Sequence, residues 1–364
     1  MEFLYETVAA VTWQQIVMWI IGATLIFLAI KKDMEPALLL PMGFGAILIN
    51  IPFSGAEGVM SSLFKIGIEM NEIMPLILFI GIGAMIDFGP LLANPKLFLF
   101  GGAAQFGIFL TILLAAACGF GIEDAASIGI IGAADGPTSI VVAQTLNSNY
   151  VGPIMVVAYS YMALVPIIQP AVIKLTTTKK ERLIRMDYKP GAVSKRTKIL
   201  FPILVTVVSG LIAPASLSLV GMLMFGNLIR ECGVLDYLGD TAKNVLANLV
   251  TLFLGITIAF TMKAENFVTV QTLMIMGLGL CAFVFDTFSG IMLAKVINLF
   301  AKQKINPMIG AAGISAFPMS ARIVQKMGIK EDPTNHLLMH AVGANVSGQI
   351  ASAIAGGLII GLVG

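Results

Sequence analysis

One carboxylate stands out because of the residues around it. Asp135 lies in Ile131-Gly-Ala-Ala-Asp-Gly-Pro-Thr-Ser139, with the apolar stretch Ile128 to Ala134 before it and Ile140 to Ala143 after it. A carboxylate at bilayer depth costs at least about 2.5–3.5 kcal/mol unless something pairs with it, and a cation or a proton is the natural compensation. Gly136 and Pro137 break a helix at this point and free backbone carbonyls, and Thr138 and Ser139 add hydroxyl oxygens. Hard oxygen donors of this kind suit Na⁺ as well as other hard cations. In a soluble protein Asp-Gly-Pro-Thr would be an ordinary surface turn. The apolar flanks weigh against that reading.

A second broken segment runs from Asn306 to Arg322 and holds an amide, hydroxyls at Ser315 and Ser320, glycines that include Gly310, and one guanidinium. Arg322 suits an anionic carboxylate, because its planar fork binds two oxygens at once. It equally suits an interfacial position with the head snorkelling to headgroups. Position alone leaves the two readings even. Tyr161 lies mid-way along an apolar stretch, where its hydroxyl either relays a proton or satisfies a structural hydrogen bond. Asp286, in Phe283-Val-Phe-Asp-Thr287, is a second intramembrane acid and a candidate Na⁺ ligand or proton carrier. Asp87 and Glu265 flank span ends, where a solvated interface is the expected setting. His336 and His340 sit at helical spacing but lack a third metal ligand nearby. No phosphate-binding Gly-rich loop, dinucleotide turn or biotin-attachment sequence is present.

These residues are embedded in a chain built for lipid. Of 364 residues, 58% are hydrophobic and only 12% are charged, and the mean hydropathy is +0.94. A soluble chain of this length needs far more charge on its surface. The expected fold is all-α, a polytopic membrane protein with about 10 transmembrane helices of roughly 20 residues each. Spans are expected at 13–30, 36–52, 73–93, 97–120, 151–175, 199–213, 216–230, 244–262, 270–300 and 336–363. Two further stretches, 126–146 and 305–325, are apolar but interrupted, and are read as broken or re-entrant hairpins. Glu57 to Glu69 is weakly amphipathic and suits an interface. Cys118, Cys232 and Cys281 show no paired spacing and are read as small core hydrophobes. No cleavable signal is read in Met1 to Gln15.

Lys179 to Lys198 holds eight Lys or Arg against one Glu and one Asp, so the positive-inside rule makes it cytoplasmic, together with Lys31 and Lys32. Four spans connect these two markers if 126–146 is re-entrant; five would break the rule. Short motifs recur in order: Leu78-Phe-Ile-Gly-Ile-Gly83 matches Leu252-Phe-Leu-Gly-Ile-Thr257, and Ile131-Gly-Ala-Ala134 matches Ile309-Gly-Ala-Ala312. Each later match is followed by Pro-x-Ser, at Pro137 and Pro318. The expected organisation is an N-terminal unit 1–72, a first repeat 73–175 with hairpin 126–146, a basic loop 176–198, linking spans 199–243, and a second repeat 244–364 with hairpin 305–325. The two repeats are expected to be inverted, with a site at the midplane between them.

At these motifs the chain resembles the β subunits of the sodium-pumping, biotin-dependent decarboxylases, which act on oxaloacetate, glutaconyl-CoA, methylmalonyl-CoA or malonate. The similarity covers most of the length; its most specific elements are Gly132-Ala-Ala-Asp-Gly-Pro-Thr138 and the Asn306 to Arg322 run. The resemblance implies that Asp135, with Thr138, belongs to the Na⁺ site and that Tyr161 handles a proton. It implies a second cluster of Asn306, Gly310, Ser315 and Arg322, tied to Na⁺ and to carboxybiotin. It further implies decarboxylation of carboxybiotin coupled to outward Na⁺ transport with proton consumption, in a bacterial inner membrane. The implied partners are a carboxyltransferase α subunit, a biotin carrier and a small membrane-anchored subunit, in a homo-oligomer. Biotin arrives in trans rather than attached to this chain, and no nucleic acid is involved. A secondary Na⁺-coupled transporter or antiporter without chemistry is the rival reading.

Overall fold

The computed structural model describes residues 2–186 and 193–364, with side chains from Glu6 onward. Part of the expected basic loop, residues 187–192, therefore lies outside the described residues. The described residues form helices and no strand. Among the described residues, six helices are long and apolar enough to cross a membrane: Trp13–Lys32, Pro95–Ala117, Val151–Thr176, Asp236–Ala259, Val270–Phe300 and Leu338–Val363. A bent pair, Ala56–Glu69 with Ile73–Met85 at 65°, makes a possible seventh. The chain is a multi-pass membrane protein, with fewer full-length spans than the expected ten; Pro36–Ile49, for example, is short.

The helices that position the site are α1 (Ile122–Gly129), α2 (Gly136–Thr145), α3 (Val151–Thr176), α4 (Val270–Phe300), α5 (Met308–Ala311), α6 (Met319–Glu331) and α7 (Leu338–Val363). The interruption expected in 126–146 is present. The chain continues from α1 through a 3-10 turn at Ile130–Ala133, Ala134 adopts a left-handed φ of 54°, and Asp135 caps α2. The second interruption falls between α5 and α6, and α6 runs on to Glu331, beyond the expected end at 325.

The outer ends of each hairpin are tied together. Asp124 in α1 accepts from the Ser148 hydroxyl at 2.7 Å and from the Asn149 backbone and side-chain amides at 2.8 and 3.1 Å. Arg182 does the same for the second hairpin: its carbonyl accepts from Asn306 Nδ2 at 2.9 Å and its Nε pairs with Glu331 at 2.8 Å. Asn149 just precedes α3 and Arg182 follows it. A helix of 26 residues is roughly 39 Å long at 1.5 Å per residue, so the two ties lie at opposite ends of the molecule.

The expected span 73–93 stops at Met85. Asp87 halts it: its carboxylate caps the Gly89 amide at 2.8 Å, and Pro90 starts a short helix at Gly89–Ala93. Asp87 also pairs with Lys198 at 3.1 Å and Arg230 at 4.0 Å, at the same end as Arg182. Burial pushes this carboxyl up, but the Gly89 amide and the two cations outweigh it and hold it below its ordinary range. Glu265 is exposed, as expected of an interface.

Inside the bundle, packing relies on small residues. Helix α7 buries Gly343, Ala344, Ser347, Gly348, Ser352, Ala353, Gly356 and Gly357. Close backbone approach is the means by which helices associate where lipid removes most of the hydrophobic drive. Cys118 and Cys281 are exposed, and Cys232 is half-buried. None is the core residue expected from the sequence.

Candidate functional site

The tips of the two hairpins touch. The Ser315 backbone N–H donates to the Ala133 carbonyl at 3.0 Å, two residues before Asp135. The Asp135 carboxylate is buried and accepts from the Thr138 hydroxyl at 2.6 Å, the Thr138 amide at 3.4 Å and the Ser352 hydroxyl at 3.1 Å. Ser139 completes the cap by donating to the Asp135 carbonyl at 2.9 Å. Every contact to the carboxylate comes from a neutral donor. No cation among the described residues offsets it.

Helix α7 closes the cluster. Asn345 Nδ2 donates to the Ile314 carbonyl at 2.6 Å, Gln349 Nε2 donates to the Ser315 carbonyl, and the Ser315 hydroxyl donates to the Gly348 carbonyl at 3.3 Å. The remaining oxygens of Asn345 and Gln349 are buried with no partner among the described residues. A buried amide oxygen without a donor is disfavoured by about 1–3 kcal/mol. Amide, carboxylate and hydroxyl oxygens of this kind are the donors that hard cations prefer.

Of the residues singled out in the sequence, Asp135, Thr138 and Ser315 are thus brought together. The others lie elsewhere. Asn306 is at the end marked by Arg182: its amide donates to the Arg182 and Ile184 carbonyls, and its oxygen accepts from Met308 N–H at 3.1 Å. Gly310 presses on Gly290 of α4, where an added Cβ would come within 2.0 Å of the Gly290 carbonyl oxygen. Asp286 is fully buried, and a Cβ at Gly107 or Gly132 would come within 2.5 or 2.4 Å of its oxygens. Those oxygens face the Gly107 and Ile108 amides without completing a hydrogen bond.

The Tyr161 hydroxyl donates to the Met276 carbonyl. Tyr159, two residues earlier, packs its ring on Gly136, where a Cβ would come within 2.3 Å of it, and its buried hydroxyl is unpartnered among the described residues. Arg322 is exposed and makes no side-chain hydrogen bond or ion pair among the described residues. Its charge acts on Glu35: burial pushes the Glu35 carboxyl up, Arg322 draws it back, and Asp33 adds to the rise. His336 lies outside α7 and contacts Gln325 at 3.2 Å, so the two histidines do not share a helix face. No group of three metal-binding side chains of the His, Cys, Asp and Glu type occurs among the described residues.

Missed in the sequence were Asn345, Gln349 and Ser352 on α7, Tyr159, and Gln169. The last sits between Pro166 and Pro170 of α3 and donates to the Ala311 carbonyl at 2.8 Å, fixing the second hairpin.

The chain is similar along nearly its whole length to known proteins. The chain is 50% identical to the methylmalonyl-CoA decarboxylase subunit beta of Propionigenium modestum, over 96% of this chain and 95% of that one. It is 49% identical to the glutaconyl-CoA decarboxylase subunit beta of Acidaminococcus fermentans, over 98% and 95%. With the oxaloacetate decarboxylase beta chain of Klebsiella pneumoniae it shares 43% identity over 95% and 94%. Residues 14–363 match the Na⁺-transporting oxaloacetate decarboxylase beta subunit family, and the chain belongs to that family.

Proposed function

We propose that this subunit decarboxylates carboxybiotin presented by a partner and drives Na⁺ outward across the bacterial inner membrane, with the ion held where the two hairpin tips meet. The observation that carries the reading is the Ser315–Ala133 hydrogen bond, which gathers Asp135, the Ser315 segment and the amide oxygens of α7 into one buried cluster. Transport without chemistry would use similar broken helices, but the relatives are decarboxylase subunits.

Na⁺ here is cargo. Asp135 supplies the countercharge, and Thr138, Ser352, Asn345 and Gln349 supply neutral oxygens. Asp135 holds either Na⁺ or a proton, since binding both would leave a surplus positive charge in a low dielectric. Loss of CO₂ from carboxybiotin leaves a ureido nitrogen that takes up one proton. Proton entry and Na⁺ release are coupled by that competition. Tyr161 is assigned to proton handling, and Arg322 to holding the substrate carboxylate. Asn306 and Gly310 contribute by fixing the second hairpin, and Asp286 of α4, which faces the first hairpin at Gly132, is a further candidate Na⁺ ligand or proton carrier.

The inverted-repeat organisation is part of the proposal. Its support is a recurring element order: Ile73–Met85, Gly89–Ala93, the span to Ala117, α1–α2 and α3, against Ala247–Ala259, Ala264–Phe267, α4, α5–α6 and α7. By the positive-inside rule the end carrying Arg182 is cytoplasmic. The carboxyltransferase α subunit, the biotin carrier and a small membrane-anchored subunit complete the assembly, in which this chain forms a homo-oligomer.

The test is the rate at which purified protein decarboxylates carboxylated carrier with and without Na⁺. Na⁺ should raise the rate and appear inside inverted vesicles during turnover. Equal rates with and without Na⁺ would remove the ion from the mechanism.

A further inference from the structure

We propose that a cavity at the basic end of the molecule binds an anionic glycerophospholipid, which braces the root of the second hairpin. The cavity has a volume of 1220 Å³, above the roughly 300–1,000 Å³ of ordinary small-molecule pockets. Among the described residues, four cationic side chains line it, Lys96, Arg185, Lys302 and Lys304, and no Asp or Glu does. Arg185 is engaged by Asp332 at 2.7 Å, and Lys304 donates to the Asn298 carbonyl. Lys96 and Lys302 make no hydrogen bond or ion pair among the described residues.

The apolar part of the cavity selects an amphiphile over a free anion. Leu97, Phe100 and Ile297 form its wall, and Leu99, 56% exposed, lies on its rim. Leu299 and Phe300, 76% and 85% exposed, end α4 immediately before the lining residue Ala301. Basic pockets between transmembrane helices at the cytoplasmic side are suited to anionic headgroups. Lysine stems can lie along such walls while their ammonium groups meet the phosphate.

The position gives the lipid a task. Lys302 and Lys304 belong to the link between α4 and Asn306, which is otherwise held by the reciprocal bonds of Asn298 with Ile305, both 2.7 Å. Lys96 stands at the start of the Pro95–Ala117 span. A phosphate between them ties that span to the root of the second hairpin, without involving the Na⁺ cluster.

Thermal unfolding of the purified, delipidated protein in neutral detergent tests this. Short-chain phosphatidylglycerol should raise the melting temperature by several degrees, and phosphatidylcholine or inorganic phosphate should not. In Lys96→Gln/Lys302→Gln/Lys304→Gln the rise should vanish while the lipid-free melting temperature stays unchanged. Should the triple variant fail to fold, Lys302→Gln alone, at an exposed side chain, should at least halve the rise. An equal rise with phosphatidylcholine, an equal rise with phosphate alone, or an undiminished phosphatidylglycerol effect in the variants would each overturn the proposal, as would no effect on the wild type.

Discussion

The Ser315 N–H and the Ala133 carbonyl, 3.0 Å apart, join two hairpins whose outer ends are tied at opposite ends of the molecule. Neither hairpin crosses the bundle. Each ends near the middle, where its freed backbone groups bond to the other hairpin or to α7 instead of to lipid. The price of breaking two helices is met by that mutual satisfaction.

Replacing Asp135 by Asn should abolish Na⁺-dependent decarboxylation while the protein still folds. The amide preserves size and can still accept from Thr138 and Ser352, but it removes the only charge in the cluster that offsets a cation. Circular dichroism would check the fold, and ²²Na⁺ binding the site. Full Na⁺-stimulated activity in this variant would disprove the assignment of Asp135.

Gly310→Ala should destabilise the protein by about 1–3 kcal/mol, the usual range for overpacking. The new Cβ would meet the Gly290 carbonyl oxygen at 2.0 Å and push α5 off α4. Because α5 starts the second hairpin, turnover should fall with stability. A melting temperature unchanged in detergent would show that the hairpin tolerates the shift.

What the sequence revealed, and what it hid, follows from how local each signal is. Asp135 was legible because a charge inside an apolar run is anomalous on its own, and Gly136-Pro137 marks the break beside it. Asn345, Gln349 and Ser352 stand four and three residues apart, on one helix face. They are diluted among Gly, Ala and Ile, and the stretch 336–363 reads as a plain span. Tyr159 and Tyr161 lie two positions apart, roughly 200° around a helix, so only one can point at a given neighbour. Which one abuts α2 depends on helix rotation, which packing sets. The Arg182 tie was hidden for another reason: it joins residues about 120–150 positions apart in sequence, through one ion pair to Glu331 and one backbone carbonyl that carries no sequence signature.

Glu35→Gln should stabilise the protein at pH 7, and the gain should shrink as the pH falls toward 4.5. Burial raises the Glu35 carboxyl above its ordinary value of 4.5, against the pull of Arg322. An acid whose folded-state pKa is raised contributes stability below its unfolded pKa and loses it as pH rises through the folded one. The glutamine removes that pH dependence. Parallel melting curves for the two proteins from pH 4.5 to 7 would show that Glu35 does not report its burial.

Arg322→Lys should not restore carboxybiotin decarboxylation. Arg322 is exposed, close enough to Glu35 to influence it, and its side chain makes no hydrogen bond among the described residues, as expected of a group that waits for an anion. A lysine keeps the charge but loses the planar, two-point grip on a carboxylate. If Arg322 only snorkels to headgroups, lysine should serve almost as well, because a long stem and a charge suffice. The measurement is the decarboxylation rate in reconstituted vesicles at saturating Na⁺, over a range of carrier concentrations. A variant within about twofold of wild type would remove Arg322 from the site. A large loss that persists at saturating carrier would place it in the chemical step, since weaker ground-state binding alone raises the carrier requirement and leaves the maximal rate intact.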